Sequence, residues 1–298
     1  MSRTRRPGPS TRVRVHEVLP PAPESADGVP MHVVRRHEDR LATEEPLEIR
    51  LAWPGRPAAR VAVTMRTPGH DFELATGFLH AEGVLASADD LRTVAYCTDT
   101  TLTPEQEFNV VTVELGAPPA KEPADRYAGL AAGSACGVCG TESIDDVLAL
   151  CDVGGPTSRW DDLRVPVDVV LALPDRLRQA QRVFDSTGGL HAAGLFAADG
   201  TPYVVREDIG RHNAVDKVVG ARVLAGESPA APLLCVSGRI GFEIVQKAVV
   251  ADVGVLAAVG APSSLAADLA ARAGLCTAGF VRGGRMVVYA APERLDGV

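Results

Sequence analysis

From about residue 168 to the C-terminus, short apolar runs alternate with longer amphipathic ones, and this alternation restricts the fold more than any other feature of the chain. Strand-like runs fall at 190–197, 203–207, 233–236, 255–259, 277–281 and 285–289. Helical patterns fall at 175–184, opened by Pro174 in the first turn, and at 212–225, 241–250 and 262–273, the last with proline at N1. Strands separated by helices of this length pack as a layered sheet with helices on its faces. Residues 141–298 are therefore expected to form an α/β domain.

Upstream the pattern is different. Strand-like runs at 31–35 and 47–53, the turn Pro54-Gly55-Arg56-Pro57 and a further run at 59–66 predict a hairpin over 47–66. A helix follows from Asp71, with Phe72, Ala75, Phe78 and Leu79 on one face, and stops at Glu82-Gly83, where glycine supplies a left-handed cap. Two more strands are expected at 92–97 and 108–115. Residues 31–115 thus read as a smaller, strand-rich and largely antiparallel region, making the whole chain α+β. Residues 1–30 mix Pro, Arg and Ser without a period and read as a disordered tail. Residues 116–140 also lack a period and read as a mobile loop.

Charge and cysteine use narrow the chemistry. With 30 Lys+Arg against 38 Asp+Glu the net charge is −8, which sets aside non-specific nucleic-acid binding. Arg3, Arg5, Arg6, Arg12 and Arg14 are interleaved with Pro7, Pro9 and Ser10, the pattern of a solvated tail rather than a nucleic-acid arm. No apolar segment follows those arginines, and the most apolar stretch, 248–261, is broken by Asp252 and Gly254. Neither a secretory signal nor a membrane span is expected, which implies a cytoplasmic location. In that compartment the six cysteines stay reduced, pointing to metal or reactive thiols rather than disulfides.

Cys136-Gly137-Val138-Cys139 can be a metal half-site, a redox dithiol, or a nucleophile with a helper. Zinc needs further ligands at suitable spacing, but Cys97, Cys151, Cys235 and Cys276 form no second pair. His191 and His212 are also too distant in sequence for a helical ligand pair. A thioredoxin-type dithiol would follow a strand of a βαβ unit directly, whereas this pair follows the loop. A reactive thiolate on a mobile segment fits the local sequence best. Thr141-Glu142-Ser143-Ile144-Asp145-Asp146 resembles a capped helix start, which would favour the thiolate. The other four cysteines lie in or beside apolar runs and read as inert core residues.

Three glycine turns in the C-terminal domain are candidate anion sites: Ser186-Thr187-Gly188-Gly189, Ser237-Gly238-Arg239-Ile240-Gly241 and Arg282-Gly283-Gly284-Arg285. None is a P-loop or a dinucleotide fingerprint. Glu207-Asp208-Ile209-Gly210-Arg211-His212-Asn213 places polar side chains between a strand and a helix, either as caps and pairs or as ligand contacts.

Taken together, these segments resemble the FdhD family of formate dehydrogenase accessory sulfurtransferases. The resemblance covers about residues 45–290 and rests on Phe184-Asp185-Ser186-Thr187-Gly188-Gly189-Leu190-His191, the run from Glu207 through Ala214-Val215-Asp216-Lys217, Ser237-Gly238-Arg239 with Glu243 and Lys247, and the Cys136/Cys139 pair. It implies a C-terminal domain similar to the cytidine deaminase fold and a homodimer. It implies that a cysteine desulfurase supplies persulfide sulfur to Cys136, with Cys139 beside it, for transfer to the molybdenum cofactor in its bis-molybdopterin guanine dinucleotide form, for formate dehydrogenase. The guanine nucleotide arm, with GDP as its mimic, would bind at Phe280, Val281, Arg282, Gly283, Gly284 and Arg285, and no metal ligands are implied. Deaminase activity is not expected, because His191-Ala192-Ala193 lacks the glutamate and Cys-x-x-Cys precedes the histidine. The alternative from another class is a zinc-stabilised nucleotide-binding protein without transfer chemistry.

Overall fold

In the computed structural model, which describes residues 6–20, 32–98, 102–103, 106–121 and 158–298, the chain opens with a two-stranded ribbon. Its strands are β1 (Ser10–Leu19) and β2 (Val33–Ala42). Next come β3 (Glu45–Trp53), β4 (Arg56–Arg66), α1 (Asp71–Ala81), β5 (Leu91–Tyr96) and β6 (Val110–Leu115). The C-terminal part holds β7 (Val165–Pro166), α2 (Val167–Gln179), α3 (Arg182–Thr187), β8 (His191–Phe196), β9 (Pro202–Asp208) and α4 (Arg211–Leu224). It continues with β10 (Ala231–Val236), α5 (Phe242–Val250), β11 (Val253–Ala258), α6 (Ser264–Arg272), β12 (Cys276–Arg282), β13 (Arg285–Ala290) and β14 (Leu295–Asp296).

The expected α/β layering is present. Six strands lie in the order β13-β12-β11-β10-β8-β9, with β10, β11 and β12 parallel and an antiparallel hairpin on each flank. β11 is buried at every residue, as a central strand covered on both faces must be. Val215, Val218, Ile244, Val245 and Leu269 of α4, α5 and α6 form one core. Val170, Leu173 and Leu177 of α2 join Phe196, Val255 and Ala257 in the other. Among the described residues no helix is long and apolar enough to cross a membrane.

Two expectations need correction. Pro174 lies inside α2 rather than opening a helix at 175, and the helix ends at Gln179. The stripe Val170, Leu173 and Leu177 begins upstream of the proline. Burying each aliphatic side chain contributes about 1.5–3 kcal/mol, which outweighs the roughly 3 kcal/mol cost of an interior proline. In the supposed tail, Ser10–Leu19 is a strand, because Val13, Val15 and Leu19 alternate with polar residues and pair in unbroken register with β2. Proline and arginine on either side conceal that period of two.

The N-terminal sheet has the order β4-β3-β6-β5, with β3 and β6 parallel and the outer pairs antiparallel. α1 packs on this sheet and crosses α4 at two glycines. A Cβ on Gly77 would lie 1.9 Å from the Asp216 carbonyl oxygen, and one on Gly220 would lie 1.9 Å from that of Glu73. No side-chain rotation relieves a clash between backbones. Gly77→Ala and Gly220→Ala should each therefore cost at least the roughly 1–3 kcal/mol of ordinary overpacking. Urea denaturation checks this, and an unchanged midpoint would exclude so close a crossing.

Candidate functional site at the carboxyl edge of the sheet

Open α/β sheets bind ligands outside the carboxyl ends of their parallel strands. At that edge β10 runs into Ser237-Gly238-Arg239, β11 into Val259-Gly260, and β12 into the Arg282–Arg285 turn. β8 runs the other way, so its first residue, His191, faces the end of β10, with Asp208 opposite on β9. Backbone bonds tie these loops into one rim. The Gly260 N–H donates to the Gly238 carbonyl at 3.0 Å, and the Phe280 N–H to the Gly260 carbonyl at 3.0 Å. The Ala192 N–H donates to Ser237 Oγ at 2.9 Å. Three strand spacings separate the turn after β12 from His191, about 14 Å.

Gly283 (φ 59°) and Gly284 (φ 72°) both take the left-handed conformation that a two-residue hairpin turn requires. Arg282 pairs directly with Arg285, and both side chains are exposed. Phe280 is also left-handed, at φ 54°, beside a break in the β12–β13 register. An aromatic residue held there costs on the order of 1–3 kcal/mol, strain of a kind that clusters at functional sites. The Arg282 guanidinium lies 6.0 Å over the Phe280 ring. Phe280, Arg282, Gly283, Gly284 and Arg285 therefore share the rim, while Val281 is fully buried in the core below and has only its backbone to offer.

Most of the 207–217 polar cluster holds the fold together. The Glu207 carboxylate accepts from the Val183 and Phe184 N–H groups (2.9 and 2.7 Å), capping α3. Buried Asp208 accepts from the backbone N–H groups of Thr67 (3.1 Å) and Gly210 (2.8 Å) and from Asn213 Nδ2 (2.9 Å). It also pairs with Lys217 at 2.6 Å. Lys217 Nζ donates in addition to the Thr67 carbonyl at 2.9 Å, and Asn213 Nδ2 to that of Met65 at 2.7 Å. Between α4 and α5, Arg211 is clamped on Glu243 and Lys247 on Asp216.

Two histidines at the edge are not used in this way. His212 Nδ1 is buried and has no hydrogen-bond partner among the described residues. Burial, followed by the charges of Lys247 and Arg211, holds the ionisation of His212 down to about 4. His191 is likewise lowered, first by burial and then by Arg211. Both rings are neutral at pH 7. Between the ordinary value of 6.5 and about 4 the unfolded chain binds the proton that folded His212 refuses, so acid weakens the fold in that window. The loss reaches about 3 kcal/mol. Asp216, raised to about 6 by burial despite Lys247, opposes part of it, because its folded carboxyl holds a proton that the unfolded one has lost. His212→Gln should flatten the decline in stability from pH 6.5 to 4. Denaturation curves that keep the wild-type slope would show that His212 ionises normally.

Cys235 and Cys276 are core residues, as the sequence implies, with burial pushing the Cys276 thiol up to about 12 and that of Cys235 still higher. Cys97 differs from that expectation. It is half-buried, and Arg50 Nη1 lies 3.7 Å from its sulfur. Cys136, Cys139, Cys151 and the helix start after Gly140 lie outside the described residues. The Arg211–Glu243 clamp and the unpartnered His212 nitrogen have no local sequence signature; only the end-of-strand position of the cluster marks them.

A model of the FdhD/NarQ family matches residues 42–296. The sulfur carrier protein FdhD of Streptomyces avermitilis is 48% identical over 268 residues, covering 88% of this chain and 91% of that protein. Its counterpart in Nocardia farcinica is 48% identical over 264 residues, covering 88% and 90%. In fold, a crystal structure of an accessory protein from Desulfotalea psychrophila aligns with a TM-score of 0.68 at 22% identity, covering 96% of this chain and 99% of that one. The matched residues include every strand of the six-stranded sheet and every loop of its rim, and the chain belongs to the FdhD/NarQ family.

Proposed function

We propose that this protein is a sulfur carrier serving formate dehydrogenase. The observation that carries the reading is 48% identity, over 88% of the chain, to a protein named for sulfur carriage. In this reading the Cys136 thiolate attacks the outer sulfur of a persulfide on a cysteine desulfurase. A new S–S bond forms on Cys136, the donor's S–S bond breaks, and the donor's own sulfur leaves as a thiolate. Attack of the Cys139 thiolate on the inner sulfur of that persulfide would close a Cys136–Cys139 disulfide, which a thiol reductant reopens, and would release the outer sulfur at the sulfide level for the molybdenum cofactor in its bis-molybdopterin guanine dinucleotide form. A homodimer working in the cytoplasm completes the proposal.

The rim supports an anionic acceptor. Exposed Arg282 and Arg285 flank a turn whose glycines leave space for close approach, an arrangement suited to a diphosphate, and Phe280 supplies an aromatic face beside it. GDP serves as a probe of that subsite. Arg285→Ala should weaken GDP binding by on the order of 1–3 kcal/mol, the cost of one charged hydrogen bond. An unchanged titration would remove Arg285 from the site.

A further inference from the structure

The β1–β2 ribbon takes no part in the rim, and the match to the family model begins at Ala42, the ribbon's last residue. Its register is unbroken over ten pairs, so directly opposed residues share a face. On one face Val13, Val15 and Leu19 are half-buried. The other face carries, in order from the base, the opposed pairs Arg12 and Arg40, Arg14 and Glu38, His16 and Arg36, and Val18 and Val34, all of them exposed.

Basic side chains placed directly opposite one another destabilise a strand pair. Here that happens where Arg12 meets Arg40. Glu38 is the sole acid on the face and lies 3.7 Å from Arg12. Among the described residues Arg14, Arg36 and Arg40 make no ion pair. A two-stranded ribbon is marginal in water even without such repulsion. Toward the far end Val18 and Val34 are 62% and 56% exposed, adding an apolar patch to the cationic stripe.

We propose that this face docks an acidic protein surface, whose carboxylates meet Arg12, Arg14, Arg36 and Arg40 and whose apolar side chain covers Val18 and Val34. Charge and apolarity side by side select this partner. A nucleic acid would satisfy the arginines, but the chain carries a net −8 even with eight arginines in its first 42 residues, so the remainder repels a long polyanion. The same net charge of −8 opposes close approach to an anionic membrane.

The test uses the full chain and a labelled peptide of alternating Glu and Leu, read by fluorescence anisotropy at low and high salt. A DNA duplex and phosphatidylserine vesicles run in parallel. Peptide binding should be salt-sensitive and at least about tenfold weaker in Arg14→Gln/Arg36→Gln, the loss expected for two charged contacts. It should vanish when all four arginines are changed to glutamate. Val18→Ser/Val34→Ser should weaken it without altering its salt dependence. Circular dichroism of the Gln variant, which introduces no new charge, checks that the fold is intact. Equal peptide binding by wild type and the Gln variant overturns the proposal, as does tighter binding of the duplex or vesicles. Sedimentation showing that wild type forms a dimer which the glutamate variant cannot form would assign the face to a second copy of the chain instead.

Discussion

Cells in which Cys136→Ala replaces the wild-type chain will lack formate dehydrogenase activity, while the purified variant keeps its fold and its affinity for GDP. Transfer of an outer persulfide sulfur is a displacement by thiolate, and alanine offers no nucleophile, so the loss should be complete rather than graded. Cys235 and Cys276 cannot substitute, because both are buried and hold their protons far above neutral pH. The proposed GDP subsite lies on β12, β13 and their turn, remote in sequence from residue 136, and should be unaffected. A soluble Cys136→Ala protein that restores full activity would remove the persulfide from the mechanism.

Lys217→Met should be the most damaging single change to stability. Lys217 is 1% exposed and pairs with Asp208, which is itself fully buried. Removing the ammonium leaves a buried carboxylate facing only the neutral donors of Thr67, Gly210 and Asn213. Stranding one member of a buried pair costs about 3–5 kcal/mol. Because Thr67 follows β4 whereas Asp208 ends β9, the change also loosens the N-terminal sheet from the C-terminal domain. The double variant Lys217→Met/Asp208→Asn should lose less than the sum of the two single changes, the mark of a coupled pair. Denaturation curves for the three variants measure this, and a Lys217→Met loss below about 1 kcal/mol would contradict the account of the network.

The layered sheet was legible because its signals are local. Strands β8 to β13 read as short apolar runs and the helices between them as longer amphipathic ones, both of which a short window reveals. Pro174 was misleading because a proline suits a first helical turn, and only the burial of Val170 shows that the helix had already begun. The ribbon was hidden because its pairing partner lies beyond a proline-rich segment. At the rim, sequence marked the Arg282–Arg285 turn correctly as a hairpin, and simple alternation would have sent Val281 to the opposite face. The 207–217 cluster was readable as polar but not as structural, since Asp208 meets a backbone N–H 141 residues earlier. The crossing at Gly77 and Gly220 has no sequence mark at all, because close backbone approach is a property of two helices together.

Incubating the purified protein with a cysteine desulfurase and free cysteine, then weighing the peptide that contains Cys136, tests the central claim most directly. One added sulfur atom on that peptide, removed by a thiol reductant and absent from Cys136→Ala, is the predicted result. An unchanged peptide mass together with one zinc ion per chain in the purified protein would contradict the carrier reading and support a metal-stabilised nucleotide-binding protein.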